Sequence, residues 1–298
     1  MKKLISMLLA LGMCFALLTA CGSNGSNGAA ANGDKSAASG SASASASAAA
    51  SGDKADGDAA ELTTLTEGVL TMATNAQFPP YEMVADGDGV DGTGFEGIDV
   101  ELAAALADKL GLKLQIDDMD FDAALTAVQQ GKCDVVLGGL TYTEKRDEVM
   151  DFSTPYSQGV QVIIVKEDSA VQSADDLANV DMIGTQRGTT GYIYCSDTTD
   201  NGGFGEDHVA AYDSGAAAVQ ALMNGQVDAV VIDQAPAEAY VAANEGLRIV
   251  DTPYVTEDYC VAMAEGNTAM QDAINNALAE LTADGTVQQI LDKYINAD

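Results

Sequence analysis

Gln129-Gln130-Gly131-Lys132-Cys133-Asp134-Val135-Val136-Leu137-Gly138-Gly139-Leu140-Thr141 runs from a helix end, through a glycine stop, into a short apolar strand and out through two glycines to a hydroxyl. Upstream, Phe121 to Gln130 reads as the helix that Gly131 ends, and Asp134 to Leu137 as a buried strand. Further out, Lys113 to Ile116 is a strand. Asp99 to Leu110 is a helix, with Val100, Leu102, Ala103, Leu106, Ala107 and Leu110 recurring at three and four. Val69 to Ala73 is the first strand. This β-α-β-α-β order implies parallel strands with helical crossovers, an α/β fold.

The unit has an echo. Met223-Asn224-Gly225-Gln226-Val227-Asp228-Ala229-Val230 is again helix, glycine, polar residue, and an Asp leading a buried strand. Gly215 to Asn224 supplies the helix and Ala229 to Ile232 the strand. Val160 to Val165, Met182 to Thr185, Leu247 to Val250 and Tyr259 to Met263 read as further strands, and helices over Ala269 to Leu281 and Thr286 to Ile295 close the chain. Two such units predict two lobes, each presenting residues just past a strand's C-terminal end, where ligands sit in open α/β sheets.

Composition narrows the function. The chain has 298 residues, with 13 Lys+Arg against 46 Asp+Glu and a net charge of −33. Such a surface repels phosphate backbones and anionic headgroups, which excludes nucleic acid as a partner. A single histidine, His208, excludes multi-histidine metal sites and reads as a surface residue. No metal or cofactor is expected. At 47% hydrophobic residues the chain buries a real core.

Lys2 and Lys3 precede the apolar run Leu4 to Leu18, followed by Leu18-Thr19-Ala20-Cys21. Residues 1–20 therefore read as a secretory leader too short to span a membrane comfortably. Leu-Thr-Ala-Cys resembles a bacterial lipobox, which makes Cys21 the lipidated first residue of the mature protein. Residues 22 to 61 hold no apolar side chain larger than alanine and read as a flexible stalk, spanning about 35 Å as a Gly/Ser-like coil. The expected location is outside the cell membrane, with bilayer contact through Cys21 only. Cys133, Cys195 and Cys260 remain, odd in number and widely spaced, and read as buried thiols.

The densest chemistry follows the quoted strand: Gly138-Gly139-Leu140-Thr141-Tyr142-Thr143-Glu144-Lys145-Arg146. Two glycines let a ligand approach the backbone, Thr141 offers a hydroxyl, and Arg146 offers a fork suited to a carboxylate. Gln186-Arg187-Gly188-Thr189-Thr190-Gly191 also follows a strand. Asp233 ends another, either to meet an ammonium or to cap the next helix. Arg146 and Asp233 together are what an α-amino acid requires. Gly87-Asp88-Gly89-Val90-Asp91-Gly92 spells G-x-G-x-x-G but sits among acids that would repel a pyrophosphate. Asp117-Asp118-Met119-Asp120 reads as a solvated strand end.

With these residues stand Ala73-Thr74-Asn75, Phe78-Pro79-Pro80-Tyr81-Glu82, Gly97-Ile98-Asp99-Val100-Glu101-Leu102, Asp151-Phe152-Ser153-Thr154-Pro155-Tyr156 and the Ala283-Asp284-Gly285-Thr286 break. From Leu65 onward the chain resembles the family 3 extracellular solute-binding proteins, the amino-acid receptors of bacterial ABC importers. The resemblance implies a two-lobed, type II periplasmic-binding-protein fold that closes about two hinge crossings, near Ser157 to Val162 and Tyr254 to Tyr259. Lobe 1 would comprise residues 62–156 plus 260–298, and lobe 2 residues 157–259. It further implies that Arg146 and Thr141, with the N–H of Thr190, hold the ligand carboxylate. Asp233 and the backbone at Gly139 would hold its ammonium. Phe78 and Phe121 would sandwich the side chain, with Asn75, Gly138 and Gln186 near its tip, and Tyr81 is carried over as a binding residue with its motif. Asn75 stands where relatives that bind basic amino acids carry an acid, so a polar, uncharged, glutamine-like ligand is expected. The partners implied are a free amino acid and a membrane permease, with the receptor itself a monomer. Two alternatives share the fold: a cyclohexadienyl or arogenate dehydratase, for which Glu82 and Asp233 are the available acids, and a surface adhesin.

Overall fold

The computed structural model describes residues 62–251 and 253–295; the leader, Cys21 and the stalk lie outside the described residues. The strands are β1 (Val69–Thr74), β2 (Gln77–Phe78), β3 (Glu82–Val84), β4 (Phe95–Glu96), β5 (Lys113–Asp118), β6 (Val135–Val136), β7 (Met150–Phe152), β8 (Ser157–Lys166), β9 (Ile183–Gln186), β10 (Val209–Tyr212), β11 (Ala229–Asp233), β12 (Leu247–Ile249), β13 (Val255–Tyr259) and β14 (Ala262–Ala264). The helices are α1 (Ile98–Leu110), α2 (Phe121–Gln129), α3 (Glu144–Asp147), α4 (Thr190–Ser196), α5 (Gly215–Met223), α6 (Gln234–Ala243), α7 (Thr268–Ala283) and α8 (Thr286–Ile295).

Two sheets organise them. The first runs β5-β1-β6-β14-β7, with β1 parallel to both β5 and β6, and β14 antiparallel to β6 and β7. The second runs β10-β9-β11-β8-β12, with β13 also on β8. Its β9 is parallel to β10 and β11, whereas β8 is antiparallel to β11, β12 and β13. Helices cover both faces of each sheet, which is why the strands read as continuous apolar runs. On β8, Val162 and Ile164 pack with Ala218 and Leu222 of α5, while Ile163 and Val165 face Cys195 of α4. On β1, Leu70 and Met72 pack with Leu102 and Leu106 of α1, while Ala73 joins Ala124 and Val128 of α2.

The chain passes between the sheets twice, and the two passages are hydrogen-bonded to each other. The first part of β8 pairs with β13, Ser157 opposite Tyr259 and Gln161 opposite Val255. The strand expected over Tyr259 to Met263 is in fact two. β13 ends at Tyr259, where Cys260 donates to the Leu140 carbonyl, and β14 starts at Ala262 in the other sheet. An apolar run alone does not mark a change of sheet. Helix α6 also escapes the periodicity, because Pro236 in its first turn mimics a break although it is well tolerated there.

The repeated Gly-x-x-Asp unit has a structural explanation. Asp134 accepts from the backbone N–H of Leu65 (2.7 Å) and Thr71 (2.8 Å), while its own N–H donates to the Thr71 carbonyl. Asp228 accepts from Asp181 (2.9 Å) and Met182 (3.1 Å), and its N–H donates to Met182. Each Asp thus clamps the entry of the neighbouring parallel strand. Asp118, read as part of a solvated strand end, likewise accepts from the Ala76 N–H at 2.9 Å. The two clamps differ in exposure, Asp134 buried and Asp228 exposed. Asp134→Ala should therefore leave the Thr71 N–H without water or partner and lower stability by about 2–3 kcal/mol, against under about 1 kcal/mol for Asp228→Ala. Urea unfolding of both variants checks this, and equal losses would show that burial does not set the value.

Candidate functional site

A cavity lies where the loops leaving the two sheets meet. It is lined by Asn75 and Phe78 after β1, Phe121 of α2, Gly138, Gly139 and Thr141 after β6, Arg146 of α3, Gln186 at the end of β9, Thr190 of α4 and Asp233 at the end of β11. Every residue expected in the site is there except Tyr81. That side chain packs behind the wall, edge-on to Tyr259 at 5.2 Å between centroids and 6.0 Å from Phe78. Glu82 and Thr189 also line the cavity, outside the expected set.

Two glycines make the site possible. Gly139 has φ 53°, and a Cβ there would lie 2.8 Å from the Phe78 ring. At Gly159 on β8 a Cβ would fall 2.1 Å from the Tyr259 hydroxyl. Only glycine lets Tyr259 cross β8 and donate its hydroxyl proton to Asp233. Asp233 stands at the start of α6, but its carboxyl makes no cap bond there and lines the cavity.

Arg146 is the cation of the site. Thr143 caps its short helix, accepting from the Arg146 N–H, and Arg146 is buried. Its Nη1 donates to the Thr141 carbonyl at 2.6 Å and its Nη2 to the Gly188 carbonyl at 2.8 Å, with the Phe121 ring 5.9 Å away. Burial lowers its pKa to about 10, so it stays charged at neutral pH. Two of an arginine's five N–H donors are used on these carbonyls, and the others are available to a carboxylate.

The acids are arranged around it. Burial raises Asp233 to about 7, reinforced by the charge of Glu257 and opposed by the Tyr259 bond. Asp99 accepts from the Gly139 N–H at 2.7 Å and from the Tyr156 hydroxyl at 2.8 Å, yet burial still raises it to about 6. Glu82 is 1% exposed, and burial holds it well above the usual carboxylate range. As an anion it would have no donor for either oxygen; protonated, it hydrogen-bonds Asp99. Glu82 and Asp99 therefore share one proton. The far end is built of amides: Asn75 donates Nδ2 to the Met119 carbonyl and accepts at Oδ1 from Gln186 Nε2 at 3.1 Å. A buried glutamate is informative where a buried leucine is not. The polarity of Glu82 beside the 66% exposed Val84 gives no hint of its burial.

The three cysteines are free and buried, with burial pushing each thiol up to about 12. They are protonated and inert, in keeping with structural thiols. Among the described residues no cluster of His, Cys, Asp or Glu could hold a metal, and no helix is long and apolar enough to cross a membrane.

Residues 70–297 match the family described as bacterial extracellular solute-binding proteins, family 3. The chain belongs to this family. A probable histidine-binding protein of Neisseria gonorrhoeae is 32% identical over 240 residues, covering 80% of this chain and 87% of that one. An ancestral arginine-binding protein solved with arginine has a TM-score of 0.69 at 38% identity, covering 76% of this chain and 98% of that one. The same description with glutamine bound has a TM-score of 0.69 at 37% identity, covering 78% and 100%. As a family 3 solute-binding protein the chain has the two-lobed type II fold and is a binding protein, not an enzyme, which removes the dehydratase alternative.

The electrostatics of the site have a measurable consequence. Asp233 and Asp99 bind protons in the folded state between about pH 4 and pH 7 that they release when unfolded, so stability falls as pH rises through that window. The ligand-free protein should lose melting temperature from pH 4.5 to pH 7.5, and Asp233→Asn should reduce that slope by up to about one proton. An unchanged slope in the variant would mean that Asp233 does not carry the shift.

Proposed function

We propose that this chain is the lipid-anchored receptor of an amino-acid ABC importer, held outside the membrane by Cys21 and the stalk over residues 22–61. It works as a monomer and delivers its ligand to a permease. Residues 62–156 with 260–298 form one lobe and 157–259 the other. The observation that carries this reading is the convergence of Arg146 and Asp233, from the sides of different sheets, on one cavity. Arg146 takes the carboxylate and Asp233 the ammonium. That relatives are described as histidine-binding, arginine-bound and glutamine-bound supports the same ligand class.

Closure uses contacts between the lobes: Arg146 to the Gly188 carbonyl, Gln186 to Asn75, and the Tyr240 hydroxyl to the Gln77 carbonyl at 2.7 Å. A ligand held by both lobes adds its own bonds to the closed form only, and this difference drives closure. At the side-chain end of the cavity Gln186 Oε1 offers an acceptor and the second Asn75 Nδ2 proton a donor, which matches a tip that both donates and accepts. With the Glu82 proton held against Asp99, this end carries no charged acceptor of its own, which favours a carboxamide. A basic side chain is the second reading, favoured by Glu82, which a guanidinium or ammonium could ionise.

Thermal-shift titration of the chain without residues 1–21 against the twenty amino acids separates these readings. L-Glutamine at about 100 times its dissociation constant should add about 2.7 kcal/mol of stability and raise the melting temperature by several degrees. L-Arginine shifting it further would establish the second reading, and no shift with any amino acid would sink the receptor reading. Arg146→Ala should weaken whichever amino acid binds by about 3 kcal/mol or more, at least a hundredfold in Kd by calorimetry. Unchanged affinity would place the carboxylate elsewhere.

A further inference from the structure

Behind the cavity wall lies a carboxylate that the ligand does not need to touch. Glu257 sits mid-way along β13, in the second passage between the sheets, and is 5% exposed. Its Oε2 accepts from the hydroxyls of Thr141 (3.1 Å) and Thr190 (3.1 Å) and from Gln161 Nε2 (2.9 Å), and its Oε1 from the Tyr194 hydroxyl (2.8 Å). These donors come from both sides of the cleft: Thr141 follows β6 of the first sheet, Gln161 lies on β8, and Thr190 and Tyr194 belong to α4 beside the second sheet. Thr141 and Thr190 also line the cavity.

We infer that Glu257 is a positioning residue that sets the hydrogen-bonding polarity of the cavity by taking the hydroxyl protons of Thr141 and Thr190. A hydroxyl has one proton. Once it points at Glu257, only the oxygen lone pairs remain for the cavity. Gln161 Nε2, which lies 3.4 Å from Thr190 Oγ1 as a donor, enforces the same orientation at that residue. Both threonines therefore act as acceptors. This reverses the expectation that the Thr141 side chain helps Arg146 with the carboxylate. The Thr141 hydroxyl suits an ammonium beside Asp233, and the carboxylate is left to Arg146 and free backbone N–H groups.

The inference rests on the amino-acid reading, and its test separates the two. Glu257→Met keeps a side chain of similar length but removes both acceptor oxygens, so the Thr141 and Thr190 hydroxyl protons are freed to turn into the cavity. L-Glutamine and its des-amino analogue 4-carbamoylbutanoate, or L-arginine and 5-guanidinopentanoate, are titrated by calorimetry into wild type and variant. The amino acid should lose about tenfold or more in affinity, and the analogue lacking the ammonium less than about threefold. Equal losses for both, or no loss for the amino acid, would overturn the inference and leave Glu257 a structural residue. Thr141→Val, which removes the acceptor while leaving Glu257 its donors from Thr190, Gln161 and Tyr194, should show the same split.

A ligand-free measurement judges Glu257 apart from the receptor reading. The Thr190 hydroxyl proton, whose donor lies with Gln161 and Tyr194 on one side of the cleft, should exchange slowly with water by NMR in wild type and faster in Glu257→Met. Fast exchange in wild type would sink the inference even if amino acids bind. Slow exchange with no amino-acid binding would sink the receptor reading and sustain the role of Glu257.

Discussion

Four carboxyl groups and one guanidinium share the buried region around the cavity, and the site is organised by how each charge is compensated. A carboxylate taken from water must be paired, hydrogen-bonded or protonated. Glu257 is met by four donors, and Asp99 by a backbone N–H, a tyrosine hydroxyl and the Glu82 proton. Asp233 accepts from the Tyr259 hydroxyl and is the least compensated of the three, burial raising it to about 7. Arg146 has carbonyls and lies over a ring but has no carboxylate within salt-bridge distance among the described residues. The two groups that remain under-compensated are of opposite sign and line one cavity. A zwitterion compensates both without adding net charge.

The fold brings these groups together by one rule used twice. Residues leaving the C-terminal end of a parallel strand have free backbone groups and no neighbour on one side. Gly138 to Thr141 follow β6 in the first sheet, and Gln186 to Thr190 follow β9 in the second. The Asp clamps fix the entries of β1 and β9, and thereby the heights at which the loops emerge. Gly159 then admits Tyr259, whose hydroxyl links the passage between sheets to Asp233. The hinge ribbon is thus a wall of the site as well as its connection.

Much of this was legible in the chain because strongly periodic segments sit on both faces of each sheet. The helix over Phe121 to Gln129 and the strand after Gly131 could be read from apolar spacing and a glycine stop alone. Arg146 was visible because arginine is scarce in this chain, and Asp233 and the double glycine because they follow buried strands. What escaped was whatever depends on a partner far along the chain. Tyr81 belongs to a motif beside the site, yet only its packing on Tyr259, far along the chain, shows that it stands behind the wall. Glu82 carries no local sign of burial. Glu257 did carry one: it falls midway between Val255 and Tyr259 at a spacing of two, and the structure buries Glu257 and Tyr259 on one face of β13.

On the proposed reading, the position of Glu257 ties recognition to closure. Thr141 comes from one side of the cleft and Thr190 with Tyr194 from the other, and a single carboxylate on the connecting ribbon accepts from all three. Opening the lobes would separate Thr141 from Thr190, so Glu257 can satisfy both only when they are together. The acceptor polarity of the cavity is therefore a property of the closed form. A ligand whose ammonium uses those lone pairs interacts differently with the two states, and only such a difference can shift the equilibrium between them. On this view selection of an α-amino acid and closure around it are one event, with the carboxylate of the hinge ribbon acting in both.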